Sequence, residues 1–146
     1  MINIKSRSVS DTEKLAQKIA SLLNGNEVIA LFGDLGAGKT AFTRGLCSGL
    51  GFSDGVCSPT FAIINQYNAK FPVFHFDMYR ITDIDDLYST GYYDYLGNGI
   101  VIIEWSENIE SELDDNAIRI YIDKTNIDCE RKITIYGMDE YADIIG

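Results

Sequence analysis

The apolar run Val28-Ile29-Ala30-Leu31-Phe32 leads directly into Gly33-Asp34-Leu35-Gly36-Ala37-Gly38-Lys39-Thr40, and no other stretch of the chain restricts its fold so tightly. The octapeptide satisfies G-x-x-x-x-G-K-[ST], the Walker A pattern. In that pattern the glycines let backbone N–H groups curl around phosphate oxygens, and the following helix adds positive dipole at its N-terminus. The lysine reaches the β and γ phosphates, and the hydroxyl binds magnesium. Lys39 and Thr40 hold those last two places. The pattern demands a strand before it and a helix after it. An apolar run without alternation reads as a strand covered on both faces in a parallel α/β sheet. Residues 39 to about 50 read as a helix whose only breakers are Gly45 and Gly49, with Gly51 as its C-cap.

At 146 residues the chain is long enough for one hydrophobic core and too short for two, so a single domain over 1–146 is expected. An apolar fraction of 46% places it among ordinary globular proteins. The formal net charge of -10, from 22 acidic against 12 basic side chains, repels polyanions and anionic membranes. Any nucleic-acid role therefore runs through a partner. Cys47, Cys57 and Cys129 are odd in number and lack metal-type spacing, which suits free thiols in a reducing compartment. The opening residues lack the apolar core of a signal peptide, and no apolar run approaches the roughly 20 residues that cross a bilayer. A cytoplasmic location is expected.

Around the glycine loop, residues 2–7 read as a short strand. Ser10-Asp11-Thr12-Glu13 reads as a capping box that opens a helix, with Leu15, Ile19, Leu22 and Leu23 on one stripe and Asn24-Gly25 as the stop. Residues 61–67 and 73–77 read as a hairpin joined by the five residues 68–72, and 83–88 as a short helix. Ile100-Val101-Ile102-Ile103 is a second fully buried strand, 117–123 and 131–136 are two late strands, and 138–145 is a short terminal helix. The expected class is α/β, a single P-loop NTPase-like domain with a mixed sheet flanked by helices.

A Walker A loop needs a further carboxylate at the end of a neighbouring strand, because magnesium bridging the phosphates is held partly through it. Glu104 ends the run 100–103 and reads as that group. Asp77 ends the strand Val73-Phe74-His75-Phe76 and shares a side with Val73 and His75 by alternation. Between them they supply a metal contact and a water-positioning base, the alternative for each being a carboxylate that caps the next turn. Ser58-Pro59-Thr60 stands where switch loops sit, and a proline-fixed turn explains it equally well. His75, the sole histidine, is assigned no proton transfer. Trp105 covers the nucleotide or a partner, or is simply buried.

No Asn/Thr-Lys-x-Asp segment is present to read guanine, so ATP is the expected nucleotide. The alternative class is a small-molecule P-loop kinase, with Asp77 as base for a substrate hydroxyl. Such enzymes close an arginine-bearing lid over the phosphate. Here Arg7, Arg44, Arg80, Arg119 and Arg131 are scattered.

Four blocks together resemble the TsaE family, the bacterial ATPase subunit of the machinery that makes threonylcarbamoyladenosine on tRNA. They are the loop 33–40, Ser58-Pro59-Thr60-Phe61, His75-Phe76-Asp77-Met78-Tyr79-Arg80 and Glu104-Trp105, in the family's order and at similar spacing. The resemblance runs from about residue 8 to about 135. It implies Mg-ATP as ligand, Thr40 and Glu104 as magnesium ligands, and Asp77, Glu104 and Lys39 as the residues that carry hydrolysis. The nucleotide would be held by Gly33, Asp34, Leu35, Gly36, Ala37, Gly38, Lys39, Thr40 and Ala41, by Thr60 in the switch-like loop, and by Trp105. A C-terminal basic contact, Arg131 or Lys132, and an N-terminal contact to adenine, Ser8 or Asp11, would complete it. The implied partners are TsaD and TsaB, with tRNA reached only indirectly through them. Ala41 departs from the family, many members of which carry a second threonine there.

Overall fold

In the computed structural model, which describes residues 1–34, 36–52 and 64–146, the described strands form one seven-stranded mixed sheet. They are β1 (Ile2–Ser6), β2 (Val28–Phe32), β3 (Ile64–Asn68), β4 (Pro72–Asp77), β5 (Ile100–Glu104), β6 (Ile118–Lys124) and β7 (Arg131–Tyr136), in the order β1-β7-β6-β2-β5-β4-β3. The middle strands β6, β2, β5 and β4 run parallel. Strands β7 and β1 extend one side antiparallel, and β3 does so on the other. The helices are α1 (Val9–Ala20), α2 (Lys39–Gly49), α3 (Ile84–Ser89), α4 (Tyr92–Tyr95) and α5 (Ala142–Ile145), with 3₁₀ turns at Ser106–Glu112 and Asp139–Tyr141. Among the described residues no helix is long and apolar enough to cross a membrane.

The unbroken apolar character of β2 and β5 follows from burial on both faces. Ile29, Leu31, Ile100 and Ile102 join one core with Leu15, Ile19, Phe42 and Leu46 of α1 and α2. Ala30, Phe32, Val101 and Ile103 join the other core, with Phe76, Met78, Leu87 and Tyr92. The glycines inside α2 serve contact between helices. A Cβ on Gly45 would meet the Glu13 carbonyl oxygen at 2.5 Å and the Ala16 Cβ at 2.8 Å, and one on Gly49 would meet the Ala20 Cβ at 2.7 Å. Small residues four apart on both helices let their backbones approach, and the Arg44–Glu13 ion pair at 2.9 Å closes the seam.

Several expected boundaries move. Helix α1 is capped by Ser8, whose hydroxyl accepts from the Asp11 amide at 3.0 Å, and not by Ser10. The buried Ser6–Thr12 hydroxyl pair at 2.7 Å draws Thr12 into the first turn, so Ser10 is already helical and Glu13 is left to pair with Arg44. The helix also ends at Ala20, and Leu22 and Leu23 pack from the turn beyond it. The hairpin connection is three residues, because Asn68 and Pro72 pair. Helix α2 ends as expected: Phe52 donates to the Cys47 carbonyl at 2.8 Å and Gly51 to that of Ser48 at 3.0 Å, a Schellman ending. The terminal segment divides into a 3₁₀ turn and α5. Leu35, Cys57, Ser58-Pro59-Thr60 and the expected strand over 61–63 lie outside the described residues.

Candidate functional site

Parallel strands send their C-terminal ends to one edge of a sheet, and that edge is where α/β folds bind ligands. Strand β2 runs there into the glycine loop, while Glu104 closes β5 and Asp77 closes β4 as cross-strand partners in register. The turns beyond are stitched together. The Met78 amide donates to the Glu104 carbonyl at 3.0 Å, and Asn108 Nδ2 donates to the carbonyls of Met78 at 2.8 Å and Tyr79 at 3.1 Å.

The loop needs glycine at its two ends. Gly33 has φ +156°, and a Cβ there would lie 2.5 Å from the Ile122 carbonyl oxygen of β6. Gly38 has φ +114° and begins α2 without a side-chain cap. The first turns of α1 and α3 carry Asp11 and the pair Asp85 and Asp86, whereas that of α2 carries no acid. Its dipole is left for an external anion. From β7, Arg131 braces the loop, Nε donating to the Ala37 carbonyl at 2.9 Å and Nη2 to that of Gly36 at 3.4 Å. The Asp34 carbonyl accepts from the Ala37 amide at 3.0 Å, and the Gly33 amide donates to Glu107 at 3.0 Å. Lys39 is buried; its Nζ donates to the Gly33 carbonyl at 2.6 Å and stands 3.8 Å above the centre of the Trp105 ring.

Thr40 Oγ1 donates to Glu104 Oε1 at 3.4 Å, across the wall of a cavity of about 490 Å³ that Lys39, Asp77, Tyr79 and Trp105 also line. The other carboxylate oxygen, Oε2, is 2.5 Å from His75 Nε2, and Tyr67 meets His75 Nδ1 at 3.2 Å. Burial pushes the Asp77 carboxyl above its ordinary value and the charge of Glu104 adds to this, against the opposing hydrogen bond from the Tyr79 amide. Trp105 has φ 59°, the one left-handed non-glycine backbone among the described residues. That strain, worth about 1–3 kcal/mol, turns the chain after Glu104 and lays the indole over Lys39. On the far side of the loop a second cavity of about 290 Å³ is lined by Ser8, Thr12, Ala37, Ala41, Cys129 and Arg131, among others.

The structure thus gathers Gly36, Ala37, Gly38, Lys39, Thr40, Ala41, Asp77, Glu104, Trp105 and Arg131 around one loop. Ser8 lines the second cavity, whereas Asp11 is committed to the Arg7 amide at 3.0 Å. Lys132 is exposed on the opposite sheet face, so Arg131 is the basic residue that reaches the loop. Leu35 and Thr60 lie outside the described residues. Sequence reasoning missed the attachments of His75 and Glu107. Alternation does put His75 on the Asp77 side of β4, but nothing local links Glu107 to Gly33 across 74 positions. Chemically, an amide-lined loop that carries the Lys39 ammonium offers donors for phosphate. A hydroxyl beside two carboxyl groups offers oxygens of the kind hard divalent cations take.

Residues 6–133 match the family model described as "Threonylcarbamoyl adenosine biosynthesis protein TsaE". The tRNA threonylcarbamoyladenosine biosynthesis protein TsaE of Treponema pallidum is 35% identical over 131 residues, covering 89% of this chain and 96% of that protein. The protein of the same name from Bacillus subtilis is 40% identical over 138 residues, covering 92% and 85%. The crystal structure of YdiB from Bacillus subtilis superposes with a TM-score of 0.76 and 32% identity, over 99% of this chain and 90% of that one. A matching family model over most of the chain, close relatives along its length and a shared fold lead to one conclusion: this chain belongs to the TsaE family of tRNA threonylcarbamoyladenosine biosynthesis proteins.

Proposed function

We propose that this chain binds Mg-ATP at the P-loop 33–40 and hydrolyses it as an accessory protein of threonylcarbamoyladenosine modification, in complex with TsaD and TsaB, with tRNA contacted only through those partners. The observation that carries the reading is the meeting of Thr40 Oγ1 and Glu104 Oε1 at 3.4 Å on the wall of the cavity that Lys39 and Asp77 share. These residues fit the ion. Among the described residues no group of three or more His, Cys, Asp and Glu side chains forms a closed metal cage. Magnesium takes few protein ligands and keeps waters and phosphate oxygens. Bound there, it would neutralise charge developing on the β and γ phosphates.

The remaining work falls to the chain. Lys39 leaves the Gly33 carbonyl to reach phosphate, and the uncapped amides of α2 receive phosphate oxygens. Asp77, at the same strand edge, orients water, and its raised pKa suits a group that accepts a proton. The second cavity, beside Ser8, Ala41 and Arg131, takes the base. A cytoplasmic location, the expectation from cysteines that suit a reducing compartment, belongs to the same proposal.

ATP turnover measured with and without TsaD and TsaB tests the proposal. Turnover that rises on adding both partners is expected. Turnover indifferent to them removes the accessory role, and absence of Mg-dependent nucleotide binding removes the site.

A further inference from the structure

We infer that His75, backed by Tyr67, is a positioning residue that fixes which oxygen of Glu104 is presented to the metal; the inference rests on the Mg-ATP site proposed above. Glu104 is a long side chain, and the residue as a whole is nearly sealed from solvent at 4% exposure. Its two oxygens have different partners. Oε1 faces Thr40 at 3.4 Å, while Oε2 is held by His75 Nε2 at 2.5 Å. A carboxylate is an acceptor, so Nε2 carries a proton.

The imidazole is fixed at its other nitrogen as well. Nδ1 pairs with the Tyr67 hydroxyl at 3.2 Å, that hydroxyl accepts from Asn65 Nδ2 at 3.5 Å, and the Tyr67 ring stacks on Phe52 with centroids 5.1 Å apart. His75 itself is fully buried. Burial alone asks partners for both ring nitrogens, so what marks this pair is where it leads. Here the line runs from the β3 edge through β4 to β5 and ends on the Glu104 carboxylate, whose other oxygen meets Thr40. Outer partners of this kind lower the cost of ordering a metal ligand, and their loss typically weakens metal affinity by about 10–100-fold.

Three variants and the wild type test this by calorimetric titration of ATP, first in chelator and then across magnesium concentrations. His75→Leu is expected to raise the magnesium concentration for half-effect by about 10–100-fold with metal-free ATP affinity unchanged. Tyr67→Phe, which keeps the ring stacked on Phe52, is expected to raise it by less. His75→Gln, whose carboxamide N–H reaches toward the place of Nε2, is expected to restore part of the loss. His75 is the sole histidine, so its ring signals in ¹⁵N–¹H spectra are unambiguous; the Nε2-bound proton should be slow to exchange in wild type and fast in Glu104→Ala. If His75→Leu does not fold, Tyr67→Phe decides. An unchanged magnesium requirement in folded variants overturns the inference alone, as does equal weakening of metal-free and metal-bound affinity. Wild-type ATP affinity that ignores magnesium overturns the site reading and this inference with it.

Discussion

Replacing Lys39 with alanine perturbs two states at once, and the difference between them sets the outcome. In the free protein the ammonium donates to the Gly33 carbonyl at 2.6 Å and lies 3.8 Å above the Trp105 ring. A hydrogen bond to a charged group contributes about 1.5–3 kcal/mol net, and a desolvated cation–π contact contributes up to about 2 kcal/mol. On the proposed reading, ATP would have to displace the first contact before the lysine could reach phosphate. The lysine's contribution to affinity is therefore a difference between two charged contacts and not a whole ion pair. Lys39→Ala is expected to weaken Mg-ATP binding by about 10–100-fold, or about 1.4–2.8 kcal/mol. Losing the resting contacts costs the free protein about 2 kcal/mol, which at about 2–4 °C per kcal/mol lowers Tm by about 4–8 °C. Titration calorimetry reads the first effect and a thermal melt without nucleotide reads the second. Trp105 is the only tryptophan, so wild-type emission should change when ATP draws the ammonium away, and the variant should lack that change. Undiminished ATP affinity would refute the assignment of the loop, and an unaltered melt would refute the resting contact.

Gly45→Ala should destabilise despite a gain of about 1 kcal/mol in helix propensity, because its methyl meets the Glu13 carbonyl at 2.5 Å and overpacking costs about 1–3 kcal/mol. A raised Tm would show that α1 and α2 can separate freely. Asp77→Asn should abolish stimulated ATP turnover while stabilising the free fold at neutral pH. The folded-state pKa of Asp77 is raised, so its ionised form burdens the native state above that value. As pH falls from the raised folded value to below the ordinary carboxylate value both states become neutral, so the advantage of asparagine fades across that window; a pH series of melts that shows no such fading counts against the shift. Burial pushes the Cys47 thiol up to about 12, so peptide-mapped alkylation of the native protein should label exposed Cys129 and spare Cys47. Mg-ATP should slow the labelling of Cys129, which lines the second cavity; an unchanged rate would place the base elsewhere.

Strands β2 and β7 begin and end where their residue patterns predict, because burial on both faces and alternation leave local marks in sequence. Helix α1 is different. Ser8-x-x-Asp11 and Ser10-x-x-Glu13 offer the same cap chemistry, and the buried Ser6–Thr12 pair chooses between them. The 3₁₀ turn Ser106–Glu112 has no periodic pattern of its own. It is held by the left-handed Trp105, by Asn108 on the Met78 and Tyr79 carbonyls and by Glu107 on Gly33, contacts that depend on strand ends brought side by side by the sheet. Asp77 and Glu104 could be read as partners because each ends a strand that points at the loop. The hydrogen bonds that divide the two oxygens of Glu104 between Thr40 and His75 span 64 and 29 positions and leave no sequence trace.

The choice between Arg131 and Lys132 shows where such information becomes available. Both are basic and adjacent, so composition treats them alike. Adjacent residues of a strand point to opposite faces. Arg131 therefore shares a face with Ile133 and Ile135, which are buried in the core built with α1 and α2. Lys132 shares the other face with Thr134 and Tyr136, opposite Asp123 on β6 and Lys5 on β1. Helix α2 begins at the glycine loop, so the loop lies on the α1 and α2 side and only the first of the pair can brace it. The strand phase was legible from sequence alone; what the fold added was the side of the sheet to which the loop belongs. An Arg131→Lys exchange tests that step, because lysine lacks the guanidinium fork that reaches both the Ala37 and Gly36 carbonyls. It should weaken ATP binding by about tenfold, a cost of about 1.4 kcal/mol, whereas Lys132→Ala should leave it within a factor of about two. The reverse order of effects in a titration would mean that the loop is braced from the other face.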